Sequence, residues 1–340
     1  MVATVLVAGH AASLVASAFD AAGSASGHVA PHAARPGKTG RTSLRQQHPE
    51  TPSVGSTGTY TVDELPLSFV DRSGTGPAGN DVTLPTLVRY PADPGMAPRA
   101  GTPATGPFPL VVFAPGYLQC GRYYAHLLNS WASAGYVVAA VKFPDTNCDV
   151  SSSGDEDDVV YQPAEMSYVI GRLLAMSAAS GGVMSGLINP GEVAVAGHSD
   201  GGDTAAAVAA NTCCIDHRVV AAVVMAGGAW PPLGGSYFPP ATPPVLFVQG
   251  NADPVHSPSA TLELYRADTT GTRYYVDLLG AGHFRPYEGD GPQEHLVARV
   301  TLAFLDRYVA GQGQARDALL RTGNVSGVAM LLNGGMAPAG

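Results

Sequence analysis

Charge is scarce in this chain, and what there is leans acidic: 13% of residues are charged, with 18 Lys and Arg against 27 Asp and Glu and a net charge of -9. A nucleic-acid backbone or an anionic membrane surface would be repelled over most of such a surface, so a neutral substrate fits best. Cysteine is nearly as rare. The four present, Cys120, Cys148, Cys213 and Cys214, are too few for a disulfide scaffold and lack the C-x-x-C spacing of a zinc site. Beyond the opening residues, no stretch approaches the roughly 18 uninterrupted apolar residues of a membrane span, which argues against an integral membrane protein.

Glycine (42) and proline (28) are abundant in 340 residues that are 45% hydrophobic. That composition excludes wholesale disorder and a helical bundle, and suits one large core with many tight loops in a mixed α/β fold. Residues 1–26 read as a leader: Met1 to Ala18 is apolar and rich in small residues, with Ala16-Ser17-Ala18 or Ser24-Ala25-Ser26 as cleavage signals, though a positive n-region is missing. Export is expected. Residues 27–57 read as a linker, 58–310 as the catalytic domain, and 311–340 as a tail with a weak helix and Gly/Ala/Pro-rich residues that fray.

Thr59 to Val70 and Asp81 to Tyr90 read as an antiparallel pair of strands. PLVVFA at Pro109 to Ala114 is different, because an unbroken apolar run marks a strand buried on both faces of a parallel sheet. Similar runs follow at Tyr136 to Val141, Val193 to Ala196, Val219 to Ala226 and Pro244 to Gly250, with Thr272 to Leu279 as the last strand. Helical spacing fills the gaps at Tyr123 to Ala134, Pro163 to Met176, Gly202 to Ala210, Ser257 to Ala267 and Pro292 to Tyr308. The alternation predicts a twisted, mostly parallel sheet of about eight strands with helices on both faces. Its chemistry should lie beyond the carboxyl ends of the strands.

Directly after Val193 to Ala196 comes Gly197-His198-Ser199-Asp200-Gly201-Gly202, a G-x-S-x-G between a strand and a small-residue helix. A serine on such a turn projects its hydroxyl above the sheet as a nucleophile. It needs a base and an orienting carboxylate. Asp253 lies just beyond Pro244 to Gly250, and His283 just beyond Thr272 to Leu279, in the chain order Ser, Asp, His. An oxyanion hole is expected from the backbone N-H of Asp200 and of Tyr117, which follows Pro115-Gly116 after the first buried strand. His198 reads as a packing residue.

From about Thr59 to Val309 the chain resembles the α/β-hydrolase superfamily, in the branch that holds dienelactone-hydrolase-like enzymes, type-II platelet-activating-factor acetylhydrolases, chlorophyllases and cutinase-type polyester hydrolases. Pro115-Gly116-Tyr117 and Ala229-Trp230-Pro231 point to the polyester side. The resemblance implies Tyr117 and Trp230 as substrate contacts. Those enzymes carry Met after the nucleophile, where this chain has Asp200; it serves either the helix dipole or the His283 imidazolium. The nucleophile is Ser199 and not the Cys of a dienelactone-type enzyme. The short stretch Gly227 to Thr242 leaves no room for a lid, so the cleft is expected to be open.

Cys120 and Cys148 follow neighbouring strands at one edge of the sheet and can bridge, while Cys213 and Cys214 can form only a vicinal bridge or stay thiols. The run Asp155 to Asp158 reads as a solvated face, and no metal is expected. The reading is a monomeric, exported serine esterase acting through an acyl-enzyme on short to medium acyl esters or polyesters, with no cofactor. The alternatives are an acyltransferase using the same three residues and a non-catalytic binding protein of the same fold.

Overall fold

The computed structural model of the chain describes residues 60–334, apart from 75, 77–78, 93–101, 151–153 and 270. The expected leader and linker lie outside the described residues. Strands β1 (Thr61–Asp71) and β2 (Val82–Ala92) pair antiparallel. Then β3 (Phe108–Ala114), β4 (Val137–Val141), β5 (Ile188–His198), β6 (Val219–Met225), β7 (Val245–Gly250) and β8 (Arg273–Leu278) follow. Helix α1 (Ala125–Ser133) joins β3 to β4, α2 (Gln162–Ala178) β4 to β5, α3 (Asp200–Ala210) β5 to β6, and α4 (Pro258–Ala267) β7 to β8. After β8 come α5 (Arg285–Glu288), α6 (Pro292–Tyr308), α7 (Ala315–Thr322) and β9 (Ala329–Asn333).

The sheet runs β1-β2-β4-β3-β5-β6-β7-β8-β9, parallel from β4 through β8 and antiparallel at both edges. Successive side chains of a strand point to opposite faces. Strand β3 therefore sends Leu110 and Val112 to one core, with Met166, Val169 and Ile170 of α2 and Val208 of α3. Val111 and Phe113 go to the other, with Leu127, Leu128 and Trp131 of α1 and Val297, Val300 and Phe304 of α6. Each such side chain contributes about 1.5–3 kcal/mol by leaving water. Two covered faces explain why β3 reads as an unbroken apolar run.

The tail is a correction to the sequence reading. Residues 311–333 do not fray: α7 buries Leu319 completely, and β9 adds a ninth strand against β8, from Leu278 opposite Ala329 to Tyr274 opposite Asn333. The run Ala329 to Leu332 is short, holds none of the β-branched or aromatic residues that mark strands, and sits among glycines.

Cys120 is bonded to Cys148, and Cys213 to its neighbour Cys214. The first bridge ties the loop after β3 to the loop after β4, where the Leu118 amide also donates to the Thr146 carbonyl at 2.6 Å. The acidic run forms a 3-10 turn, Glu156–Val160, whose first residues are exposed while Asp158 turns inward. Among the described residues no helix is long and apolar enough to cross a membrane.

Candidate active site

Ser199 ends β5 and begins α3 with φ 56° and ψ -127°, a left-handed conformation that strains any L-residue and lifts its side chain off the sheet. Its glycine neighbours are required by close approach. A Cβ on Gly197 would stand 1.9 Å from the Gly201 carbonyl oxygen, and one on Gly201 2.0 Å from that of Ala114. The backbone of Gly116 backs onto the serine, since a Cβ there would meet Ser199 Cβ at 3.0 Å.

Asp253 and His283 lie beyond β7 and β8, and the topology brings all three together at the carboxyl edge of the sheet. His283 Nε2 is 3.0 Å from Ser199 Oγ, and His283 Nδ1 is 2.7 Å from Asp253 Oδ2. The carboxylate is well furnished with donors: the Val255 and His256 amides reach Oδ1 at 2.8 and 2.9 Å, and Gln249 Nε2 reaches Oδ2 at 3.1 Å. Burial pushes the Asp253 carboxyl up, but the hydrogen bonds from His283 and the two amides outweigh it and bring the group down to about 2. It stays ionised, and its bond to Nδ1-H leaves Nε2 free to accept the serine proton.

His198 does more than pack. It is wholly buried, with Nε2 2.9 Å from the His283 carbonyl and Nδ1 2.8 Å from the Tyr124 hydroxyl. A carbonyl only accepts, so Nε2 carries the proton and Nδ1 accepts from Tyr124, whose oxygen in turn accepts from the Gly116 amide at 3.3 Å. Burial, seconded by the nearby His283, holds His198 well below its usual range and keeps it neutral. One polar chain thus links the loop behind Ser199 to the backbone of His283. Tyr124 was not legible as a site residue, because it reads as one more apolar position at the start of a helix.

The Tyr117 N-H has no acceptor among the described residues, and the Asp200 N-H has only its own carboxylate. Both amides sit beside Ser199, one in the loop against it and one at the first residue of an eleven-residue helix, where the helix dipole favours negative charge. The Tyr117 hydroxyl donates to the Gly154 carbonyl at 2.6 Å. Trp230 is half-buried at the start of the short turn Pro231–Leu233, and Pro232 shares a hollow with Asp157 and Asp158.

Asp200 is buried at the first residue of α3. Burial pushes its carboxyl up to about 7, the charge of Glu156 adds to the rise, and its own amide partly offsets it. Its Oδ2 is buried with no hydrogen-bond partner among the described residues. The expectation that Asp200 braces the His283 imidazolium finds no contact to rest on.

Two apolar side chains missed in the sequence stand on the rim. Phe284, next to His283 and 4.7 Å from it between ring centroids, is 43% exposed, and Val255, two residues past Asp253, is 61% exposed. Large exposed apolar groups beside a reactive centre suit an apolar substrate. A family model described as PETase, PET hydrolase-like, matches residues 51–324. No curated protein matches the chain.

Proposed function

The chain belongs to the PET hydrolase-like family, α/β-hydrolases that act on esters, and from that premise we propose that it is an exported serine esterase that cleaves polyesters and short to medium acyl esters in an open cleft. The observation that carries this reading is the unbroken hydrogen-bonded line from Ser199 through His283 to Asp253.

Ser199 Oγ attacks the ester carbonyl while His283 Nε2 takes its proton, with Asp253 holding the ring and the charge it gains. The amides of Tyr117 and Asp200 receive the developing oxyanion. His283 then returns the proton to the leaving alcohol, and a water, activated by the same nitrogen, cleaves the acyl-enzyme. Tyr117 and Trp230 contact the acyl portion, and Phe284 and Val255 extend the apolar rim along a polymer. The two disulfides suit an oxidising compartment, in keeping with export.

The test is hydrolysis of p-nitrophenyl esters from acetate to palmitate, with an aromatic polyester film alongside, by the wild-type chain and Ser199→Ala. A short-chain optimum, release of soluble products from the film, and loss of both in the variant support the reading. Equal rates in the two proteins would refute it, and an untouched film with active short esters would remove the polymer from it.

A further inference from the structure

Outside the line of catalytic side chains, four metal-ligating residues gather where α1 meets the start of α6. His126 is on the first turn of α1, Asp290 lies between α5 and α6, and Glu294 and His295 are on the first turn of α6. His126 Nδ1 stands 2.6 Å from Glu294 Oε2, His295 Nε2 2.8 Å from Asp290 Oδ1, and that same oxygen 4.0 Å from His126 Nε2. One donor atom from each of the four falls within 4.8 Å of all the others.

Glu294 is the residue that needs explaining. Its side chain is 0% exposed, yet neither carboxylate oxygen, nor the facing His126 Nδ1, has a hydrogen-bond partner of proper direction among the described residues. A buried carboxylate without donors is costly. An imidazole nitrogen and a buried carboxylate this close, yet not aligned for a hydrogen bond, are two donors that one cation can reach together. From this geometry we propose that His126, Asp290, Glu294 and His295 bind one divalent transition-metal ion of the zinc type.

The donor set selects the ion. Two imidazoles and two carboxylates suit zinc and its first-row neighbours, whereas calcium and magnesium take oxygen shells. Bonds of about 2.0–2.2 Å put tetrahedral donors about 3.4 Å apart, so the His126–Glu294 pair, at 2.6 Å, has to open slightly while the exposed Asp290 and the partly exposed His295 rotate to close the shell. Two carboxylates neutralise the dication, and the buried Glu294 gains a well-directed partner. The ion would join α1, which begins one residue after Tyr124, to the segment that follows His283, and so brace both ends of the polar chain through His198. This site does not depend on the proposed esterase activity.

The experiment uses the full, tag-free chain stripped with chelator. Zinc chloride is added in equilibrium dialysis and in a thermal melt, and cobalt(II) in visible spectroscopy. The expected results are one zinc per chain at micromolar free ion and a Tm rise of about 5–10 °C at a hundredfold excess over Kd. Cobalt should give the d–d absorption of a tetrahedral N/O site, and calcium or magnesium should do nothing. The double variant His126→Ala/His295→Ala, at partly exposed positions, should lose the ion while keeping its far-UV spectrum. The isosteric Glu294→Gln should weaken binding at least tenfold. No zinc uptake at micromolar ion, or uptake undiminished in both variants, overturns the proposal.

Discussion

At the start of α3 and in the loop beyond β7 stand two carboxylates hidden from water to the same degree, Asp200 and Asp253 at 7% exposure each. One is pushed up to about 7 and the other brought down to about 2. Burial acts on both in the same direction. What separates them is the company of donors: Asp253 has the Val255 and His256 amides, Gln249 and His283, whereas Asp200 has its own amide and the charge of Glu156 nearby. Ionisation in this site is decided by donor geometry, and depth alone says little.

The strongest way to break the contrast is to disarm the furnished carboxylate. Asp253→Asn keeps the shape but favours the wrong imidazole tautomer, and kcat on p-nitrophenyl acetate should fall by about 10⁴ with KM nearly unchanged. Removing a donor is gentler. Gln249→Met takes one hydrogen bond from Asp253 Oδ2, so kcat should drop about tenfold, the order expected for a single bond to a charged group; an unchanged rate would mean that the amides alone hold it.

Asp200→Asn sharpens the comparison from the other side. Above about pH 7 the native carboxyl ionises beside the amide proposed for the oxyanion, which opposes the charge developing there. The variant should therefore gain a few-fold in kcat on the alkaline limb and little on the acid limb, and a full pH–rate profile would show a uniform change if the effect were merely steric. The smallest effect is on stability. The folded chain holds the Asp200 proton more tightly than the unfolded one, so this group's contribution is full below about pH 4 and is lost as pH rises through about 7. Asp253 runs the other way, contributing above about 4 and losing that contribution as pH falls toward 2. Melting curves of Asp200→Asn should accordingly match wild type in acid and rise by a few degrees above pH 7.

The strands and the positions of Ser199, Asp253 and His283 were legible because buried parallel strands leave unbroken apolar runs, and each of the three residues follows one. Asp200 was legible as an oddity but not in its ionisation, since that depends on its burial and on the charge of Glu156, which the fold brings near from the loop after β4. His198 and Tyr124 were opaque for a different reason: a hydrogen bond between residues 74 apart in sequence leaves no local signature. Strand β9 was hidden by its composition. Phe284 had a signal that went unused, an aromatic beside the candidate base and before a helix-starting proline.

Strand β9 also has a bearing on when the protein becomes itself during synthesis. Ser199, the loop behind it and the whole parallel centre of the sheet emerge well before residue 329, but β8, whose end bears His283, has no outer neighbour until Ala329 to Asn333 leave the ribosome. Until then β8 is a bare edge that could pair with another nascent chain. Ser199 is thus synthesised early, and the strand that leads to His283 is the one whose outer edge is covered last.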